Sequence, residues 1–392
     1  MTPQIRFPQF TDEWQAKRLG DVVEFKNGKP FEDYVSKDGE YHLITIDSVD
    51  IEGNLKSKFK KVTKSDNSLQ KNDIVTVLSD IAHGNLLGLT SLIPADRQFV
   101  LNQRMGRLRP KDGSSARFIS HYINTKQAYY RKRGQGTSQR HIYERDINQM
   151  IVNMPMAKEQ EKIAEFLTVV DERIGKIEKK LELLQQYKKG VMQKIFTQQI
   201  RFKNENGNPY PEWEEKKLRE VIDVNPRTDR LPDKFIYIDL ESVNSGRLLS
   251  ERLVNKIEAP SRAQRLLNKN DILFQTVRPY QRNNFYFDRD GDYVASTGYA
   301  QLRYRECPQF IYQLIHTDDF VNKVLDYCTG TNYPAISSND LGKIVIGAPG
   351  SLEEQQKIAT FLTALDDKIK VEQTRLTAAK QWKKGLLQRM FV

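Results

Sequence analysis

At 392 residues with 38% hydrophobic content, the chain is long enough to fill two or more cores of ordinary size. No apolar run approaches the roughly 20 residues needed to span a membrane, and the only cysteines, Cys307 and Cys328, lack partners at ligand spacing, which argues against a disulfide framework or a structural zinc site. Lysine and arginine outnumber acidic residues 62 to 51, a formal charge of +11 that favours polyanionic partners without separating DNA from RNA or an anionic surface.

The opening MTPQIRFPQF lacks the charged-then-apolar layout of a secretion signal, so a cytoplasmic location is expected. RFPQFTDEWQAKRLGDVVEF follows from Arg6, and RFKNENGNPYPEWEEKKLREVIDV from Arg201 repeats its Arg-Phe, Glu-Trp and Lys-X-Leu elements. Short β-branched runs come next (YHLITI from Tyr41, DIVTVL from Asp73, then LLGLTSLI and QFVLNQRMGRLRP), bounded by Gly, Asn, Asp and Pro as strands of a mixed sheet would be. Periodicity predicts a helix over Ser114 to Arg133, with Phe118, Tyr122, Ala128 and Tyr129 on one face. GQGTSQRHIYERDINQMIVNMP then reads as an exposed loop leading to a strand that Pro155 ends. Half a chain later NKNDILFQTV, the helix candidate PQFIYQLIHTDDFVNKVLDYC and GTNYPAISSNDLGKIVIGAP repeat this order.

Each half ends in a long helical pattern. EQEKIAEFLTVVDERIGKIEKKLELLQQYKKGVMQKIF (Glu159 to Phe196) and EQQKIATFLTALDDKIKVEQTRLTAAKQWKKGLLQRMF (Glu354 to Phe391) align without a gap at an offset of 195. Ile163, Leu167, Val170, Ile174, Ile177, Leu181 and Leu184 step by three and four, as do Ile358, Leu362, Leu365, Ile369 and Leu376, a heptad seam that calls for a partner helix. Lys188 and Lys383 interrupt the seam at matching places. Glu372 and Ala379 weaken the second copy, where neighbouring Val371 is expected to pack in place of Glu372. Gly190 and Gly385 mark either a close helix approach or the beginning of the helix end. The expected architecture is α+β, with two globular α/β domains (1–155 and 201–350), each followed by a helical spacer (156–200 and 351–392). The two helices form an antiparallel coiled coil in a pseudo-twofold repeat.

No catalytic machinery is legible. NPYP from Asn208 and VNPR from Val224 carry an Asn-Pro pair but read as turns, no phosphate-binding loop is present, and the five histidines form no ligand pair on a helix. A catalytic site and a bound metal are therefore not expected.

The order of domain, Gly-Thr loop, strand ending in Pro, EQ-x-KIA-x-FL and a long helix closing with KKG, all of it doubled, resembles the specificity subunit of type I restriction-modification enzymes. The resemblance covers essentially the whole chain. It implies two target recognition domains, each reading one half of a gapped site in double-stranded DNA, and paired helices that set the gap and dock two modification (methyltransferase) subunits. Restriction subunits with nuclease and translocase activity would join them. S-adenosylmethionine, ATP and magnesium are implied for those partners and none for this chain, and no membrane is involved. A seam of about 48 Å from Ile163 to Ile195 exceeds the roughly 34 to 36 Å of one DNA turn, as a spacer for an interrupted site requires.

The strongest candidate for DNA contact is Lys126 to Arg145, where six basic residues face Glu144 alone. Arg131, Lys132 and Arg133 suit phosphates, while Gln135, Thr137, Ser138, Gln139, Arg140 and His141 offer groups that read base edges. In the second half Arg278, Tyr280, Gln281, Arg282, Asn283, Asn332 and Tyr333 take those roles, and Arg104, beside Arg97, Asn102 and Gln103, is a further candidate. Two rival readings are a coiled-coil scaffold tethering modules for RNA or protein, and a nucleic-acid-modifying enzyme acting alone, which would need the cofactor motifs that are missing.

Overall fold

The computed structural model describes residues 3–81 and 84–391 and divides the chain into two compact units. One comprises Met1–Glu178 with Arg375–Val392, the other Lys179–Thr374. Both cuts fall inside the long helices Ala157–Phe196 and Leu352–Met390. Each unit therefore owns the first part of one helix and the last part of the other.

In the first unit the β-branched runs form two sheets. Val23–Asn27, Met105–Pro110, Ile74–Val77 and Thr90–Leu92 pair antiparallel in that order. Lys60–Val62, Tyr41–Ile44 and Phe99–Leu101 form a second sheet in which the last pair is parallel. The second unit repeats the plan with two four-stranded sheets, one antiparallel and one containing a single parallel pair, Lys234–Ile238 beside Tyr293–Ser296.

The helix predicted over Ser114 to Arg133 is two helices, Ala116–Thr125 and Gln127–Arg133. Lys126 leaves helical geometry (φ −104°, ψ 28°) and shifts the phase, so Tyr130 is buried and Ala128 faces solvent. The corresponding stretch of the second unit is likewise split, into Pro308–Leu314 and Asp318–Asp326, because the Thr317 hydroxyl accepts from the Phe320 amide and starts a new helix.

A two-stranded ribbon joins each globular part to its long helix: Gln15–Arg18 with Ile151–Met154, and Trp213–Lys217 with Val345–Pro349. The Glu-Gln pair at the helix start locks this junction. Gln160 donates to the Pro155 carbonyl at 2.8 Å and Gln355 to that of Pro349 at 2.9 Å. Buried Glu159 takes two hydrogen bonds from Arg6, at 2.7 Å each, and buried Glu354 is gripped by Arg201 at 3.2 and 3.0 Å. Bonding to these carboxylates holds both guanidiniums above the ordinary arginine range.

The seam residues are part of the unit cores. Ile163 and Leu167 pack in one cluster with Phe118, Leu386 and Met390, while Ile358 and Leu362 pack with Met192, Ile195 and Phe310. Asp171 meets Lys383 and Glu178 meets Lys380 in the first unit, and Lys180 meets Glu372 and Lys188 meets Asp366 in the second, so the helices run antiparallel within each unit. Val170, Ile174 and Leu365 are also buried, whereas Ile177, Leu181, Leu184, Ile369 and Leu376 are half-buried. The seam thus thins away from the globular parts.

The interrupting lysines are paired. Lys188 reaches Asp366 at 2.6 Å and Lys383 reaches Asp171 at 2.5 Å, each lysine side chain being at most 17% exposed. Both partners lie on the other helix, so the two bonds are the same contact made twice. Val371 does not pack in place of Glu372. It is exposed, while Glu372 itself is buried and receives Lys180 at 2.6 Å, so the seam keeps the polar residue and satisfies it with an ion pair.

Gly190 and Gly385 lie within the helices, and a Cβ at either position would meet nothing within 4 Å. The close-approach reading therefore does not hold inside the chain. Gly190→Ala and Gly385→Ala are each expected to stabilise the free chain by about 1 kcal/mol, measurable as a rise in the urea midpoint.

Candidate nucleic-acid interface

The loop after Gln127–Arg133 closes by reciprocal backbone hydrogen bonds between Gln135 and His141 at 2.9 and 2.8 Å. Gly136 makes the turn at φ +107°, where a Cβ would sit 2.1 Å from the Gln139 carbonyl oxygen. In the second unit Thr329 and Ala335 exchange the same pair of bonds at 3.0 Å, and Gly330 turns at φ +90°. The shared Gly-Thr signature is thus a shared hairpin.

Each hairpin lies against a second segment. In the first unit Gln139–His141 pairs antiparallel with Ser79–Ile81, and Gln139 Nε2 donates to Ser79 Oγ at 2.8 Å. Arg140 sits opposite Asp80, but its guanidinium donates to the Arg131 and Gly134 carbonyls at 2.8 Å each, so it also holds the loop closed. Arg131, Lys132, Gln135, Thr137 and Ser138 are exposed, while His141 is half-buried. Arg133 is exposed and lies over the Tyr129 ring at 3.7 Å. Exposed Arg104 joins this region through its carbonyl, which accepts from the Leu78 amide at 3.0 Å. Its neighbour Asn102 is buried and donates to Glu32 at 2.8 Å, a structural role.

In the second unit the two predicted stretches come together. Val277 bridges to Ala335, and the Arg278 amide donates to the Pro334 carbonyl at 2.7 Å. Tyr280, Gln281, Asn332 and Tyr333 are exposed. The side chains of Arg282 and Asn283, also candidates for DNA contact, are engaged within the fold. Arg282 pairs with Asp318 and donates to the His316 carbonyl, and Asn283 bonds the Ser245 amide and the Val243 carbonyl.

The segment missed from sequence is Ser79–Ile81, with Ile81 71% exposed. A signal for it is present in the chain. NDIVTVLSD and NDILFQTVRP align on Asp73 and Asp271, which puts Asp80 in the place of Arg278. Those two aspartates do the same work, taking Arg109 and Arg303 at 2.7 Å. The frame is thus common to both units and the residues it presents differ. Among the described residues no helix is long and apolar enough to cross a membrane and no group of His, Cys, Asp or Glu could hold a metal ion; His83 lies outside the described residues.

The family model described as type I restriction modification DNA specificity domain matches twice, over residues 11–186 and 210–381. Among curated relatives, the type I restriction enzyme MjaVIII specificity subunit of Methanocaldococcus jannaschii is 23% identical over 98% of this chain and 92% of its own. The HindI specificity subunit of Haemophilus influenzae is 26% identical over 46% of this chain and 41% of its own. The crystal structure of a type I restriction-modification S subunit from M. genitalium superposes with TM-score 0.64 at 17% identity, covering 100% of this chain and 99% of that one. A structure from work on complex assembly and conformational transition of the type I R-M system gives 0.54 at 17%, covering 97% and 98%. At such identities these structures speak for the fold, and with the family's domain found in both halves, the chain belongs to the specificity subunits of type I restriction-modification systems.

Proposed function

We propose that each unit reads one half of an interrupted site in double-stranded DNA, and that the paired helices fix the gap and dock two modification subunits, to which restriction subunits add. The carrying observation is the repeated hairpin frame with unlike residues on it, which is what two readers of different half-sites require. A correct base contact discriminates by about 1 to 3 kcal/mol, so joining two modest readers raises selectivity when both engage at once. The chain itself is the reader; methyl transfer with S-adenosylmethionine and the ATP- and magnesium-dependent steps are assigned to the partner subunits.

Docking of two like partners is supported by a stripe that flanks the seam. Lys180, Leu183, Tyr187, Gly190 and Lys194 step by three and four, and Arg375, Ala378, Trp382, Gly385 and Arg389 stand 195 positions later. Tyr187 and Trp382 are 54% and 52% exposed, and each lies one turn before a glycine with open space above it. Large exposed aromatics at equivalent places suit equivalent partner surfaces.

The test is to copurify the chain with its modification subunits and map methylated adenines across the host genome. A gapped motif is expected, and Gln139→Ala with Arg140→Ala should alter one half of it while the modification subunits stay bound. An ungapped motif, or an unchanged one in that double variant, contradicts the assignment of the unit or of the loop respectively.

A further inference from the structure

Arg278 is a candidate reader that the fold positions while, among the described residues, its side chain has no hydrogen-bond partner. Its backbone adopts the left-handed conformation at φ 54°, which costs a non-glycine residue energy. The amide hydrogen bond to Pro334 fixes that conformation. Its guanidinium carbon stands 4.1 Å from the centre of the Tyr333 ring, and the ring is 64% exposed. Stacking of this kind orients the guanidinium plane and restricts its rotation. Among the described residues no carboxylate or carbonyl takes a hydrogen bond from its side chain, and Nε is buried without a partner. Arg282, four residues on, shows the contrast: its guanidinium is neutralised by Asp318 and bonded to the His316 carbonyl.

An arginine set over an aromatic ring, with its terminal nitrogens taking no partner among the described residues, is a two-donor fork restricted in its rotation. Two parallel acceptors satisfy it best, and among base edges in the major groove guanine O6 and N7 supply that pair. We infer that Arg278 is a specificity-determining residue that reads a guanine in the half-site of the second unit, with Tyr333 as its positioning residue. This rests on the proposed role of that unit as a DNA reader. In the first unit Asp80 occupies the aligned place and takes the Ile81 and Leu86 amides at 2.8 Å each. The two half-sites are therefore read by different chemistry at this point of the frame.

The experiment uses the complete methyltransferase complex assembled on Arg278→Ala, Arg278→Lys and Tyr333→Ala chains, with methylome mapping and duplex binding over a salt series. In Arg278→Ala one G·C position of one half-site should become degenerate, with affinity for the original site falling about 5- to 150-fold. Arg278→Lys keeps the charge and loses the fork, so it should be degenerate at the same position, and Tyr333→Ala, which removes the ring, should weaken discrimination at that same position. A uniform fall in binding with an intact motif and a shallower salt dependence would make Arg278 a phosphate contact and overturn the inference. Degeneracy at an A·T position would overturn it too. If Arg278→Ala fails to assemble, Arg278→Lys decides by the same two criteria. A wild-type complex with no gapped motif would instead remove the proposed function itself, so the two failures are told apart.

Discussion

Glu354→Ala is expected to destabilise the second unit by about 3 to 5 kcal/mol, because it leaves the Arg201 guanidinium buried with its principal partner gone. The carboxylate is 1% exposed and Arg201 only 19%. Glu354 also receives Trp213 Nε1 at 3.3 Å, so one side chain ties the entry segment, the ribbon and the helix start together. Of the other partners of Arg201, the Tyr210 and Pro211 carbonyls carry no negative charge and Glu212 is 89% exposed, where a pair contributes about 0 to 1 kcal/mol, so none replaces it. Glu159→Ala should do the same to the first unit through Arg6. Urea unfolding followed by hydrogen exchange separates the effects: amides of Trp213–Lys217 and Val345–Pro349 should lose protection in Glu354→Ala, and those of Gln15–Arg18 and Ile151–Met154 in Glu159→Ala. Equal protection in the variant and parent would show that the ribbons hold without these ion pairs.

That knot also shows how far the sequence could be read. The repeated Arg-Phe, Glu-Trp and Glu-Gln elements are plain in the chain, yet nothing local says that Arg6 meets Glu159 across 153 positions. The helices were legible because a 3.5-residue period depends only on neighbours along the chain. The seam ion pairs were legible in principle, since Lys188 with Asp366 and Lys383 with Asp171 are related by the same offset as the helices. The break at Lys126 was not, because it is the burial of Tyr130 against Gly88, at φ +72°, that selects the second helix phase. A Cβ on Gly88 would lie 2.2 Å from the Tyr130 ring, so the phase is set by packing rather than by propensity. The candidate interface was half legible. Composition singled out Arg278, Arg282 and Arg140 alike, and only the partners of each guanidinium distinguish the free one from those that hold the fold.

Acidification from pH 7 to pH 5 should cost the chain about 2 kcal/mol for each of His121 and His316. Both imidazoles are held down at about 4, chiefly by desolvation on burial. Asp171 opposes this for His121, while Lys383 and Arg117 reinforce it. Around His316 the Tyr312 carbonyl and Asp366 oppose it, and Lys188 and Arg282 reinforce it. The two clusters are the same construction 195 positions apart: a histidine of the globular part beside the Lys-Asp bond that crosses the helix pair. In the folded second unit Nδ1 of His316 lies 2.6 Å from the Tyr312 carbonyl, which fixes the neutral tautomer with its proton there. In the unfolded chain each histidine titrates near 6.5. Between 6.5 and 4 the unfolded state therefore binds more protons, so stability is full above that range and falls as pH drops through it. His121→Gln and His316→Gln should each remove about half of this dependence, because glutamine can sit in the pocket without titrating. Urea midpoints at pH 7 and pH 5 for parent, single and double variants measure it. An unchanged pH slope in the double variant would mean that these imidazoles take up protons without unfolding, and that the Lys-Asp bonds tolerate a third charge beside them.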